Sequence, residues 1–164
     1  MNKFNFIKKN SYIVDLGSSP GGWSQVAANK IIKGKILSID IKPMEELDNV
    51  NFVKGDFLDK EIHSKISSFF DRKIDVLLSD MAANTTGNKN LDSVVTGELT
   101  LEALRFAKNE LKQNGFFVSK IFMGSTFNEI VSEAKSTFKE TSIFKPHSSR
   151  KESKESFIIC KKLR

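Results

Sequence analysis

The chain is poor in the residues that staple proteins or bind metals. It has one cysteine, Cys160, and two histidines, His63 and His147, in 164 residues. A lone cysteine excludes an internal disulfide. Its setting, Phe157-Ile158-Ile159-Cys160, is that of a buried small hydrophobe. Two histidines and a cysteine far apart in sequence make no metal-ligand pattern, so no metal is expected. No apolar run approaches the roughly 20 residues needed to cross a bilayer. The N-terminus is charged but lacks the apolar stretch of a signal peptide. Repeats, linkers and low-complexity segments are also missing. These absences fit a cytoplasmic, membrane-free protein, expected as a monomer, with residues 1–164 forming one domain large enough for a real core.

What is present is led by one stretch, Asp15-Leu16-Gly17-Ser18-Ser19-Pro20-Gly21-Gly22-Trp23. The apolar run Tyr12-Ile13-Val14 before it reads as a buried strand. Residues 22–32 after it read as a helix. Strand, glycine-rich turn and helix together form a ligand cradle. Glycine lets backbone approach a ligand closely, and a helix N-terminus offers unpaired N–H groups. Asp15 would repel a phosphate and attract a cation. That favours S-adenosylmethionine, with its ammonium and sulfonium, over a dinucleotide. Asp15, Gly17, Pro20, Gly21, Gly22 and Trp23 are therefore candidate cofactor-binding residues.

Further strands are expected at 35–40, 51–54, 74–79, 116–122, 141–144 and 156–160. Helices are expected at 59–70, 94–113 and 126–138, with Gly34 closing the first helix and Asn114-Gly115 the long one. Alternating strands and helices imply an α/β, doubly wound, mostly parallel seven-stranded sheet. Ligands of such sheets sit at the carboxyl ends of the strands. Asp15, Asp40, Asp56 and Asp80 all fall at or just after such ends. Asp40 follows Gly21 by 19 residues (40 − 21), the separation at which an acid reaches ribose hydroxyls. Asp56 could accept from an adenine amino group, and Asp80 lies nearest the reacting end of such a ligand.

Taken together, residues 15–25, Gly55-Asp56-Phe57, Ser79-Asp80-Met81-Ala82-Ala83-Asn84, Val118-Ser119-Lys120-Ile121-Phe122 and the run from Lys145-Pro146 through Ser148-Ser149-Arg150 to Lys154-Glu155 resemble the FtsJ-like ribosomal RNA 2′-O-methyltransferases. The resemblance covers nearly the whole chain. It implies a Rossmann-like methyltransferase fold, S-adenosylmethionine as donor, and a ribose 2′-hydroxyl of large-subunit ribosomal RNA, on a uridine, as acceptor. Gly21, Trp23, Asp40, Asp56 and Asp80 match donor-binding positions. Asp80, Lys120 and Glu155 match the last three members of the family's Lys-Asp-Lys-Glu catalytic set.

Two departures stand out. The family usually has proline where Ala83 stands, a change expected to alter only local loop rigidity. The family's first catalytic lysine is expected to fall upstream of Met1, since only 14 residues precede Asp15. The basic excess, +6 from 26 Lys and Arg against 20 Asp and Glu, fits a polyanionic partner. Lys8, Lys9, Lys145, Arg150, Lys151 and Lys154 are the candidate RNA contacts. Two other functions remain open from sequence. One is a catalytically impaired RNA-binding or ribosome-assembly factor. The other is the same chemistry on transfer RNA or an mRNA cap.

Overall fold

The computed structural model describes residues 5–83, 86–146 and 155–164. The strands are β1 (Tyr12–Leu16), β2 (Lys35–Asp40), β3 (Asn51–Lys54), β4 (Ile74–Ser79), β5 (Leu111–Phe122), β6 (Phe138–Phe144) and β7 (Glu155–Leu163). The helices are α1 (Gly22–Ala28), α2 (Lys60–Phe69), α3 (Lys89–Glu110) and α4 (Phe127–Thr137). One sheet holds all seven strands in the order β3-β2-β1-β4-β5-β7-β6. The pairs from β3 to β5 are parallel, and β7 runs antiparallel to both β5 and β6. The expected α/β, mostly parallel, seven-stranded architecture is the one observed.

Side-chain alternation divides the core. Val14, Leu16, Leu37, Ile39 and Leu77 face a layer made by α2, α3 and α4. Ile13, Ile36, Val76 and Leu78 face the other way, toward α1 and Ile7. The chain leaves β1 toward β2 over one face and returns from β3 to β4 over the other. Right-handed crossovers demand this when the direction reverses. The reversal lies between β1 and β4, where a doubly wound sheet opens its ligand crevice. Cys160 is fully buried, as expected, and burial pushes its thiol up to about 12.

Several boundaries differ from the sequence reading. The first helix stops at Ala28, four residues short of Ile32, and Ile32 is exposed. Gly34 is therefore not its cap. It is glycine because a Cβ there would stand 2.2 Å from the Ser11 carbonyl oxygen. The long helix starts at Lys89 rather than residue 94. The Asn88 side chain caps it by accepting the N–H groups of Asn90 and Leu91, a bond any helix start favours. It ends at Glu110, and Asn114-Gly115 lie inside β5 at a register shift opposite Ile74 and Val76. A bulge absorbs residues that a pattern reader assigns to a turn. Strands β6 and β7 are longer than expected, and no helix joins β2 to β3. Among the described residues, no helix is long and apolar enough to cross a membrane.

Candidate active site

Past their last ladder bonds, β3, β2, β1 and β4 remain tied together. Gly17 and Ser18 donate their N–H groups to the Ile39 carbonyl, Asp80 donates to Leu16, and Gly55 donates to Asp40. Gly17 adopts φ +70, and a Cβ there would lie 2.7–2.8 Å from backbone atoms of Asp80 and Met81. Only glycine permits both that conformation and that approach. The result is a crevice of about 540 Å³, with Gly17, Asp40, Asp56 and Asp80 around it. That volume suits a ligand of nucleoside size.

The acids expected at this edge take different places. Asp40 lines the cavity, with its carboxylate accepting the N–H of Ser19 and of Lys42, both at 2.8 Å. It thereby holds the glycine loop, and each carboxylate oxygen keeps accepting capacity beyond these bonds. Asp56 also lines the cavity and caps its own turn through the Leu58 N–H at 2.9 Å. Asp80 lines the wall formed by the chain after β4.

Asp15 does something else. Its carboxylate is buried under α1, where Ser24 Oγ donates to it at 2.6 Å. Ser24 Oγ is in turn 2.7 Å from Ser38 Oγ. The second carboxylate oxygen is buried and unpartnered. Burial pushes this carboxyl up to about 7. The Ser24 hydrogen bond opposes the rise, and the charges of Asp80 and Asp40 add to it. Asp15 is not among the residues lining the cavity. The sequence places it beside a cationic ligand; the structure seats it between β1, α1 and β2.

Pro20, Gly21, Gly22 and Trp23 also lie outside the cavity lining. Gly21, at φ +122, brings the loop against Leu47 and Met44. A Cβ on Gly22 would meet only open space. The Trp23 ring lies 5.7 Å from that of Phe157. Sequence reasoning missed the apolar part of the lining, Ile39, Phe57, Leu58, Val95 and Leu99. Val95 and Leu99 stand four apart on α3, off its buried stripe, and that spacing was the available signal.

At the far side of Asp80 stands Lys120. Its Nζ is 2.7 Å from Asp80 Oδ1 and 3.7 Å from Glu155 Oε1. Topology makes this cluster. Ser79 is level with Ser119 in the β4–β5 pair, so Asp80 and Lys120 emerge side by side. The antiparallel β7 begins at the same edge, with Glu155 opposite Phe122 and Phe157 opposite Lys120. Neighbours on one face of such a pair touch. The Lys120 side chain is 20% exposed and that of Glu155 47%, so the cluster is open to an acceptor.

Comparison with known proteins settles the family. The family model described as FtsJ-like methyltransferase matches residues 1–163. The chain belongs to the FtsJ-like methyltransferase family. It is 55% identical over 162 residues to "Ribosomal RNA large subunit methyltransferase E" of Pelagibacter ubique, covering 99% of this chain and 80% of that one. The protein of the same description from Rickettsia akari is 42% identical, covering 96% and 72%. A Plasmodium falciparum crystal structure described as a ribosomal RNA methyltransferase superposes with a TM-score of 0.84 at 33% identity, covering 99% of this chain and 91% of that one.

As an FtsJ-like enzyme, the chain is a methyltransferase with S-adenosylmethionine as its donor. The residues fit that donor. The cavity has nucleoside dimensions, an acid at the end of β2, another after β3, and apolar walls for a base. In this FtsJ-like chain Asp40 is expected to hold the donor ribose. Asp40→Ala should weaken donor binding roughly ten- to hundredfold, the worth of a charged hydrogen bond. Calorimetry checks this, and unchanged affinity with an intact fold would take Asp40 out of the site.

Proposed function

We propose that this enzyme methylates a ribose 2′-hydroxyl, on a uridine, in large-subunit ribosomal RNA, acting as a monomeric single domain in the cytoplasm. The observation that carries the reading is Lys120 held between Asp80 and Glu155 at the rim of the donor cavity. The names of the Pelagibacter and Rickettsia relatives support the substrate.

S-adenosylmethionine supplies an electrophilic methyl group on a good leaving group. The chain's part is mainly alignment, which can contribute roughly 7–11 kcal/mol. Asp40 and Asp56 would hold the adenosine end. Asp80 reaches both the cavity and Lys120, so it sets the lysine against the methyl end. Lys120 would orient the acceptor hydroxyl as an ammonium or take its proton as a neutral amine, with Glu155 holding the side chain from the other side. Incubating the protein with labelled donor and isolated large ribosomal subunits, followed by nuclease mapping, tests this. Unlabelled subunits, with label entering transfer RNA or capped mRNA offered in parallel, would sink the substrate reading.

The proposed RNA contacts fall at two edges. Lys145 follows β6 on the carboxyl side, the same edge as Lys120. Arg150, Lys151 and Lys154 lie outside the described residues. Lys8 and Lys9 precede β1 at the amino side, where the Lys9 carbonyl accepts from Ile32 and Lys33. They would meet only RNA that extends around the molecule. Affinity should fall linearly with salt on logarithmic axes, and Lys145→Ala should reduce the slope by about 0.7–0.9. Filter binding at graded salt measures it, and an unchanged slope would take Lys145 out of the RNA contacts.

A further inference from the structure

The segment after β4 carries Asp80 and then forms a cavity wall with Met81, Ala82 and Ala83. It has no secondary structure of its own. The Asp80 N–H ties its start to the Leu16 carbonyl, and a second hydrogen bond fastens its far end. The Ala83 N–H donates to Thr96 Oγ1 at 3.0 Å. Thr96 is buried on the third turn of α3, where its own carbonyl accepts from Thr100 Oγ1. A rigid helix thus grips a loop through a side chain that packing already holds. The next residue, Gly97, packs so closely on Thr126 that a Cβ would stand 2.0 Å from Thr126 Oγ1. Thr126 precedes α4 on the chain leaving β5, the strand that carries Lys120. The same turn of α3 therefore braces the segments following both Asp80 and Lys120.

We infer that Thr96 is a positioning residue for methyl transfer, fixing the Asp80–Ala83 segment through the Ala83 N–H. That residue 83 is alanine has a physical consequence. Proline has no N–H and fixes φ by its ring. Alanine frees φ but supplies a donor, and the Thr96 hydroxyl takes it. That hydrogen bond restrains the loop. Loss of the bond would leave Asp80 less well held against Lys120, and small misplacements of aligned groups are costly in rate.

The activity arm of the test rests on the substrate reading above; an exchange arm does not. Thr96→Val keeps the shape and removes the acceptor. It should slow single-turnover methylation of large ribosomal subunits at least tenfold at saturating donor, with donor affinity changed less than threefold. Hydrogen exchange at the Ala83 amide should speed up at least tenfold. Thr96→Ser should restore both to within threefold. Adding Ala83→Pro to Thr96→Val should recover much of the rate, since the ring removes the orphaned donor and stiffens the loop. Should Thr96→Val fail to fold, Thr96→Ala replaces it in every arm. The inference is overturned if rate and Ala83 exchange stay within twofold of the parent, or if Thr96→Ser recovers neither. A parent protein that leaves subunits unmethylated would sink the substrate reading alone, and the exchange arm would still decide on Thr96.

Discussion

Lys120→Ala is expected to lower the rate of methyl transfer by roughly 10²–10⁴-fold, the range for loss of a positioned proton-handling group. Donor affinity should stay within about twofold, because Lys120 is not among the residues lining the cavity. Its contacts are with Asp80 and Glu155 on the acceptor side. The alanine variant also removes the ammonium that both carboxylates contact, so the acceptor hydroxyl loses a donor. Lys120→Arg tests the proton role separately. A guanidinium keeps the charge but does not deprotonate, and its planar fork does not fit the place of a compact ammonium. It should stay well below the parent rate at every pH. Single-turnover kinetics on ribosomal subunits at saturating donor give the answer. A Lys120→Ala protein with near-parent rates would remove the lysine from the chemistry.

The second large effect concerns stability and pH. The Asp15 carboxyl is pushed up to about 7 from an ordinary 3.8, chiefly by burial. In the folded state it therefore keeps its proton across a range in which the unfolded chain has lost it. Between about pH 4 and pH 7 the folded state binds more protons, so stability must fall as pH rises through that window. Below it both states are protonated, and above it both are ionised, so the loss levels off. Some three pH units correspond to about 4 kcal/mol. Asp15→Asn keeps an acceptor for Ser24 and removes the buried charge. The variant should be more stable than the parent at pH 8, and the difference should shrink toward pH 5. Urea unfolding of both proteins at several pH values measures it. A constant difference across that range would show that Asp15 does not titrate as its surroundings imply.

Local patterns carried much of this protein. Ile-Val before Asp15 and the glycines after it fixed a strand and a tight turn, because periodicity and φ preferences act within a few residues. Alternating elements fixed the sheet type, since a right-handed crossover is the one way a strand and helix pack back. The acids Asp40, Asp56 and Asp80 were legible as an edge for the same reason. Tertiary structure decided the rest. Strand residues alternate between faces, and only the packed sheet shows that Asp15 turns to Ser24 under α1 and away from the ligand edge. The residues at 114–115 carry a turn signal, yet the pairing of Leu111 and Phe116 with β4 on either side carries the strand through them. Lys120 and Glu155 meet across 35 residues because β7 reverses direction, and Ala83 finds Thr96 because α3 packs over the loop. Such contacts depend on where whole elements dock, and no short-range preference encodes them.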